Sequence, residues 1–352
     1  MCNDSFTEFK KVIMSDSSKT NIAIIMHSNP DPDCMASSMG MSRILKTWNP
    51  SIKCTLIYSG EISHSQNRTM VNVLSIPLID IAEIEDLKSF DYLISVDVMP
   101  ERAIPINNNN PSEFLMVVDH HKVETKLAKI KDIRTVGATA SIIWDYLKHE
   151  QITFEKNNEE DALLATALAV AIKTDTQDLV TENVTDLDWE ASQQLMRYVD
   201  RGKLSSIMEY PIPSYQLELR SKLDIEDNYK MDNGIFVGGI GHIAFSKRDV
   251  LPILARERAR LEDVNTAFVF AIVGDHIEVS VRSINLAVDV TSLCQKIFGR
   301  DFAGGKMGAG AAKVPMGFLS LDSNVSEDIR EKQWEFVKAY LIDKIFHIIN
   351  NA

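Results

Sequence analysis

Short apolar runs alternate with amphipathic stretches from Asn21 onward, after a polar leading segment over residues 1–20. Continuous apolar runs bounded by polar turns are typical of strands that are buried on both faces of a parallel sheet. Four such runs predict strands at Ile22–Met26, Lys53–Tyr58, Tyr92–Val96 and Leu115–Val118. The amphipathic stretches predict helices at Met35–Thr47, Gln66–Leu74, Ala140–Lys148 and Glu159–Ile172. This alternation predicts an α/β domain with a parallel sheet and helices on both faces.

A second, smaller α/β domain is predicted toward the end of the chain. The apolar periodicity weakens around residues 201–220, and two prolines in Tyr210–Ser214 interrupt regular structure. We therefore place the first domain at 1–195, a linker at 196–220 and the second domain at 221–352. Its predicted elements are the strands Ile235–Ile240, Thr266–Val273 and Ile277–Val281, the helices Val250–Glu262 and Glu327–Ile349, and a glycine-rich loop at Gly299–Gly310.

Length and charge limit the classes of function. A chain of 352 residues suits two domains, and 45% hydrophobic with 25% charged residues is the balance of a folded globular protein. Lysine and arginine number 37 against 50 aspartates and glutamates, which gives a net charge of −13. So acidic a protein repels a long phosphate backbone, so we expect no long duplex nucleic acid as a partner. A small anion held by metal ions or by a few arginines is compatible with this charge.

The cysteines and the apolar runs indicate the compartment. The chain has four cysteines, Cys2, Cys34, Cys54 and Cys294. They lie far apart without a CxxC pair, which argues against a disulfide framework or a zinc knuckle. The early apolar run Ile22–Met26 is too short to span a bilayer, and residues 1–20 lack a signal-peptide core. We therefore expect a cytoplasmic enzyme with no membrane partner.

The first candidate for chemistry is His27-Ser-Asn-Pro-Asp31-Pro-Asp33, directly after the first predicted strand. Open α/β sheets bind ligands at the carboxyl ends of their strands. Two prolines stiffen this segment, and its carboxylates repel each other unless a cation neutralises them. The alternative interpretation is a proline–aspartate turn with a chance histidine.

Acidic and histidine residues also follow three later apolar segments. Asp97 comes after the predicted strand Tyr92–Val96, and taken by itself it is better interpreted as a helix or turn cap. Asp119-His120-His121 follows the next strand, and this pattern suggests a metal ligand that is oriented by a carboxylate. Asp175 lies at the end of an apolar helix, where the helix dipole disfavours a negative charge unless a cation compensates it.

Carboxylates and imidazoles without thiolates favour Mn²⁺ or Mg²⁺ over a structural zinc ion. Five carboxylates and up to three imidazoles are enough for a two-metal site with one bridging aspartate. Such a site activates a water for in-line attack on phosphorus and screens the leaving oxygen.

The order of HSNPDPD, VDVMPER, DHH and TDT along the chain resembles the four motifs of the DHH phosphoesterase superfamily. That group includes RecJ-type exonucleases, family II inorganic pyrophosphatases, nano-RNases that also dephosphorylate pAp, and cyclic-dinucleotide phosphodiesterases. The resemblance implies a parallel-sheet DHH domain that binds two divalent cations, Mn²⁺ in the first place with Mg²⁺ as the alternative. The implied ligands are His27 and Asp31 for one cation, Asp33, His120 and Asp175 for the other, and Asp97 as the bridge. It further implies that His121 faces the substrate phosphate and that Asp119 orients the neighbouring histidines.

The second domain resembles the DHH-associated C-terminal domain, with the active site in the cleft between the two domains. Val279–Ser283 resembles its arginine–serine strand, and Phe302–Ala312 resembles its glycine-rich loop. The implied substrate-binding residues are Arg282, Ser283, Gly304, Gly305, Lys306 and Gly308. Glycines let backbone N–H groups approach a phosphate, and an arginine can bind it in a bidentate manner. The glycine-rich segment by itself is equally well a flexible turn.

The chain departs from the family at Lys306, where the family loop usually carries histidine. A lysine binds phosphate as a point charge, but it neither stacks on a base nor shares a proton near neutral pH. A lysine at this position is compatible with phosphate binding and leaves the substrate range open.

The leading hypothesis is a two-metal phosphoesterase, of exonuclease or nucleotidase type, that acts on short oligonucleotides and on pAp-like nucleotide phosphates. One alternative is an inorganic pyrophosphatase or polyphosphatase. A second is a phosphodiesterase of cyclic or linear dinucleotides, and a third is a non-catalytic nucleotide-binding module. A homodimer also stays open, because the closing helix can pack on its own domain or on a partner.

Overall fold

The computed structural model describes residues 4–103, 113–121, 124–285, 287–321 and 324–351. The chain forms two compact units, Met1–Pro211 and Ile212–Ala352. The division lies within the stretch 196–220 in which the sequence places a linker, and short helices occupy much of that stretch. Among the described residues, no helix has the length and apolar character that crossing a membrane requires.

The first unit contains a six-stranded sheet in which every pair of neighbouring strands is parallel. Its strands are β1 (Asn21–Ser28), β2 (Lys53–Ser59), β3 (Leu78–Asp80), β4 (Tyr92–Val96), β5 (Phe114–Asp119) and β6 (Ala128–Ile133). The order across the sheet is β3-β2-β1-β4-β5-β6, so β1, β4 and β5 are adjacent at its centre. The predicted α/β class and the four predicted strands are confirmed.

Helices flank this sheet unevenly. They are α1 (Asp4–Ser15), α2 (Pro32–Trp48), α3 (Ser65–Leu74), α4 (Pro100–Ala103), α5 (Thr139–His149), α6 (Glu159–Asp175), α7 (Asp186–Leu195) and α8 (Arg201–Met208). The larger core lies on the face to which β1 contributes Ile22 and Ile24, and α1, α2, α5 and α6 bury apolar side chains there. On the opposite face, Ala23 and Ile25 pack near residues of the short helix α4 and two 3₁₀ turns.

Two strands of this sheet have no continuous apolar run. Strand β3 has only three residues, and the residues of β6 alternate between buried and exposed positions. Both lie at the edges of the sheet, where one side of a strand has no neighbour to cover it. A search for buried runs therefore finds the central strands and misses the edges.

The second unit is also built on a six-stranded sheet, in the order β11-β12-β10-β9-β8-β7. Its strands are β7 (Tyr229–Asp232), β8 (Ile235–Ile243), β9 (Thr266–Val273), β10 (His276–Ser283), β11 (Ala303–Lys306) and β12 (Ala309–Pro315). Its helices are α9 (Ser214–Lys222), α10 (Val250–Arg258), α11 (Val290–Phe298) and α12 (Glu327–Asn350). Among the strand pairs that the structure describes in this sheet, only β8–β9 is parallel. Helix α10 covers one face, and α11 and α12 pack on the other.

The prediction of a loop for the glycine-rich segment Gly299–Gly310 is wrong, because half of this segment lies in two strands. Residues 303–315 form the antiparallel hairpin β11–β12, which turns at Met307 and Gly308. Gly308 has a φ of 68°, a conformation that favours glycine. At Gly310, an added Cβ would lie 2.6 Å from the Cys294 sulfur of α11. These two glycines are therefore required by the turn and by helix packing, and their presence alone does not indicate a phosphate site.

Candidate metal centre

The carboxyl ends of the three central strands bring the predicted ligands together. His27 lies near the end of β1, Asp97 directly follows β4, and His120 directly follows β5. Asp97 adopts a left-handed backbone conformation with a φ of 59°, and its N–H donates to the carbonyl of Val118 in β5. Adjacent strand ends at one sheet edge thus bring side chains that are distant in the chain within a few ångströms of one another.

Two aspartates at the start of α2 are held by backbone N–H groups. Asp31 is the N-cap of α2, and its Oδ1 accepts hydrogen bonds from the N–H groups of Asp33 and Cys34 at 3.0 and 3.1 Å. The carboxylate of Asp33 accepts from the N–H groups of Thr139 at 2.7 Å and Ala140 at 2.8 Å, in the first turn of α5. Both carboxylates are therefore fixed at helix N-termini, which stabilise negative charge.

The two oxygens of Asp97 face different histidines. Its Oδ1 lies 3.6 Å from Nε2 of His120, and its Oδ2 lies 3.8 Å from Nε2 of His27. The hydroxyl of Thr139 donates to the same Oδ1 at 2.8 Å. A carboxylate between two imidazoles in this way has the geometry that a bridging ligand requires.

Backbone carbonyls set the orientation of both imidazoles. Nδ1 of His27 lies 2.9 Å from the carbonyl of Ser28, and Nδ1 of His120 lies 3.1 Å from the carbonyl of Val136. When Nδ1–H donates to a carbonyl, Nε2 keeps its lone pair for a metal ion. In His120 that nitrogen is 3.3 Å from Oδ2 of Asp175, at the end of α6.

Asp119 orients only one of the two histidines that follow it. Its Oδ1 accepts from the backbone N–H of His121 and lies 2.8 Å from Nδ1 of the same residue. The side chain of His121 is half-exposed, whereas those of Asp119 and His120 are buried. Among the described hydrogen bonds, His120 is oriented by Val136 instead, a role that the sequence analysis does not identify.

Among the described residues there are three groups of possible metal ligands. Within each group, one donor atom from every residue lies within 4.8 Å of the others. The groups are Asp33 with His120 and Asp175, Asp97 with His120 and His121, and His27 with Asp31 and Cys34. The first group coincides with the set that the resemblance implies for one cation. The third contains the two ligands implied for the other cation, together with a thiol that the sequence analysis missed.

The electrostatics of these groups fit divalent cations. Burial and the neighbouring carboxylates raise the pKa of Asp33 and of Asp97 well above the usual range. Burial lowers the pKa of His27, but Cys34 and Asp31 raise it more, to about 12. Clustered buried carboxylates thus take up protons when no other positive charge is present. A metal ion would supply that charge, and the oxygen and nitrogen donors suit Mn²⁺ or Mg²⁺.

The substrate-binding residues expected in the second unit fall into two groups. Lys306 of β11 pairs with Ala309 of β12, which pairs with Arg282 of β10. Directly paired residues point to the same face of a sheet. The positively charged side chains of Arg282 and Lys306 therefore lie on one face, with the small side chain of Ala309 between them. Ser283 instead uses its hydroxyl internally, 2.9 Å from that of Thr266.

Arg282 lies in an electropositive environment. Burial and the nearby Arg256 lower its pKa to about 10. Its Nη1 donates to the carbonyl of Val281 at 2.9 Å, and no carboxylate lies within ion-pair distance of it among the described residues. A partly buried guanidinium of this kind favours an anionic ligand.

Comparison with known proteins supports the motif pattern. A model of the DHH family, N-terminal domain, matches residues 21–172. The match contains the motifs from His27 to His121 and ends just before Asp175. A probable bifunctional oligoribonuclease and PAP phosphatase NrnA of Streptococcus mutans is 24% identical over 231 residues, which cover 63% of this chain and 68% of that protein.

Two further similarities extend over most of the chain. An uncharacterized protein of Methanocaldococcus jannaschii is 32% identical over 328 residues, or 93% of this chain. The chain spans 64% of the length of that relative. The crystal structure of an exopolyphosphatase-related protein from Bacteroides fragilis has a TM-score of 0.68 at 14% identity, with 96% of both chains covered. This structural similarity shows that the two chains share a fold.

Proposed function

We propose that this chain, which belongs to the DHH phosphoesterase superfamily, is a metal-dependent hydrolase of short oligonucleotides and pAp-like nucleotide phosphates. The observation that carries this proposal is the convergence of six implied ligands at one sheet edge. These are His27, Asp31, Asp33, Asp97, His120 and Asp175. The choice of substrate rests on the Streptococcus mutans relative, whose name describes an oligoribonuclease and PAP phosphatase.

Two divalent cations would be held by side chains that lie close together in the structure. His27 and Asp31 would bind one, Asp33, His120 and Asp175 the other, and Asp97 would bridge them. When bound, such cations activate a water and neutralise charge on a phosphoryl group. Mn²⁺ is our first expectation and Mg²⁺ the second, because oxygen and imidazole donors suit both.

His121 is placed to contact the substrate. Its ring is half-exposed, and Asp119 fixes its orientation through Nδ1. We assign it the role of facing the phosphate that is attacked, with Asp119 as its positioning residue. The second unit would bind a remote phosphate through Arg282 and Lys306, which lie on one face of its sheet on either side of Ala309. The backbone of Gly304, Gly305 and Gly308 would contribute N–H groups, whereas the hydroxyl of Ser283 is occupied by the fold.

Three alternative functions would use the same metal ligands or the same phosphate site as the proposed hydrolase. They are an inorganic pyrophosphatase or polyphosphatase, a dinucleotide phosphodiesterase, and a nucleotide-binding module without catalysis. The arginine–serine strand and the glycine-rich segment, which resemble the substrate-binding segments of the DHH-associated domain, favour a nucleotide over pyrophosphate, as does the name of the Streptococcus mutans relative. The net charge of −13 favours short substrates over long duplexes. Such substrates fit a location in the cytoplasm, and a homodimer stays a prediction.

Substrate profiling tests the proposal. The protein is freed of metal, supplied with Mn²⁺, and given pAp, an RNA of two to five nucleotides, cyclic and linear dinucleotides, or pyrophosphate. We expect release of phosphate from pAp or of mononucleotides from the RNA, and a large loss in Asp97→Asn. A protein that binds Mn²⁺ but hydrolyses neither pAp nor the RNA would contradict the assignment. Turnover of pyrophosphate or of dinucleotides alone would identify the corresponding alternative.

A further inference from the structure

Cys34 lies beside the cation position that the proposed function gives to His27 and Asp31. Its side chain has no exposed surface, and its Sγ lies 3.3 Å from the backbone carbonyl of Asp31. The sulfur, a ring nitrogen of His27 and a carboxylate oxygen of Asp31 are all within 4.8 Å of one another. A nitrogen, an oxygen and a sulfur donor therefore surround one point at the end of β1.

The three donors are held by the local fold. Asp31 caps α2, and the same carboxylate accepts the backbone N–H of Cys34 at 3.1 Å, which fixes the thiol in the first helical turn. The adjacent Asp33 ties this turn to α5 through two N–H groups. Bonds of about 2.0–2.3 Å to such donors place them about 3–4 Å apart, so a small contraction would complete the site.

We propose that Cys34 is a thiolate ligand of the cation held by His27 and Asp31, and that this position therefore prefers Co²⁺, Zn²⁺ or Fe²⁺ to Mg²⁺ and Mn²⁺. The inference rests on the metal centre of the proposed function, and for this one position it replaces the expectation of Mn²⁺ or Mg²⁺. Thiolate ligands select late first-row metals, whereas the second position, with Asp33, His120 and Asp175, offers only oxygen and nitrogen. On binding, the sulfur–metal bond replaces the S–H bond, and the proton passes to solvent.

Packing alone is the competing explanation, because a buried cysteine often serves as a small apolar residue. Cys34 does lie in the larger core of the first unit. Packing requires only its volume, so serine or alanine would replace it without effect on any cation. Coordination requires the sulfur itself, which gives the two explanations different spectroscopic consequences.

Cobalt spectroscopy separates them. The full chain is freed of metal and titrated with Co²⁺ without oxygen. We expect visible d–d bands and a near-ultraviolet band for sulfur-to-cobalt charge transfer. Cys34→Ser should keep the d–d bands and lose the charge-transfer band. Cys54→Ser is the matched control, because Cys54 is a half-buried thiol in β2 outside the three donor groups, and it should retain both. A charge-transfer band that survives in Cys34→Ser, or is missing from the wild type despite d–d bands, would overturn the proposal.

A competition experiment measures the preference. We expect Cys34→Ser to weaken Zn²⁺ binding by about tenfold or more and Mn²⁺ binding by much less. Equal losses for both ions would contradict the assignment. X-ray absorption of the Zn²⁺-loaded wild type, where a sulfur at about 2.3 Å is expected, needs no variant and decides the matter if Cys34→Ser does not fold.

The assay for hydrolysis with Mn²⁺ distinguishes this inference from the proposed function. Hydrolysis without any sulfur ligand overturns the role of Cys34 and leaves the proposed function intact. A sulfur ligand without hydrolysis supports the role of Cys34 and contradicts the proposed function. A chain that binds no divalent cation refutes both.

Discussion

The hydroxyl of Thr139 donates a hydrogen bond of 2.8 Å to Oδ1 of Asp97, across more than forty residues of sequence. The backbone N–H of the same threonine donates to Asp33 at 2.7 Å. One residue at the start of α5 thus holds both the proposed bridging ligand and a ligand of the second cation. Protein groups that orient metal ligands affect affinity although they do not touch the metal.

Thr139→Val should weaken cation binding by about tenfold to hundredfold, because Asp97 loses the donor that fixes its oxygen. Valine has nearly the same shape, so the fold should persist. Calorimetric titration with Mn²⁺ gives the affinity, and Thr139→Ser, which retains the hydroxyl, should restore most of it. Equal affinities in the valine variant and the wild type would show that the bond has no role at the site.

Asp97→Asn should remove hydrolysis and weaken binding at both cation positions, because the bridging charge is lost while the shape is kept. Mn²⁺ titration and the pAp assay measure the two effects. Asp91→Asn is the control at the opposite end of the same strand, where Asp91 accepts from the N–H of Asn21. Full activity in Asp97→Asn would refute the bridging role.

The stability of the metal-free protein should fall as the pH rises above about 4, the ordinary pKa of an aspartate. Burial and neighbouring carboxylates raise the pKa of Asp33 and Asp97 in the folded state. Between their unfolded and folded pKa values the folded protein binds more protons than the unfolded chain, so increasing pH favours unfolding. Thermal unfolding across this range should show a shallower slope in Asp97→Asn than in the wild type. With Mn²⁺ present, stabilisation should grow with pH, because the cation competes with protons for the carboxylates. Identical slopes in both proteins without metal would contradict the assignment.

Arg282→Gln should lower kcat/KM for pAp by about tenfold to hundredfold, the equivalent of one charge-assisted hydrogen bond. Cation binding should be unchanged, as judged by the Co²⁺ spectrum. Lys313→Gln is the control on the same sheet, because Lys313 is exposed and lies 3.9 Å from Glu278. A loss of the same size in both variants would indicate a general charge effect instead of a phosphate contact.

The sequence predicted the elements whose signal is local. The central strands appear as apolar runs because both of their faces are buried, and the ligands appear because they follow those runs. The hairpin of β11 and β12 was missed because its residues are mainly glycine and alanine, which have no strand pattern. Thr139, Val136 and Cys34 were missed for another reason. Their contacts with the ligands depend on tertiary structure or on a helix cap, and their residue types do not indicate a role.

The strand order has a consequence for synthesis of the protein. The proposed ligands extend from His27 in β1 to Asp175 at the end of α6, about two fifths of the 352-residue chain. At about 5–20 residues per second, translation separates the first ligand from the last by roughly 7–30 s. Strand β4, the neighbour of β1, is also made only after β2 and β3, and β5, the neighbour of β4, is made after it. An emerging chain therefore lacks the complete set of donors throughout this interval, so the full two-cation centre forms only after Asp175 has been made.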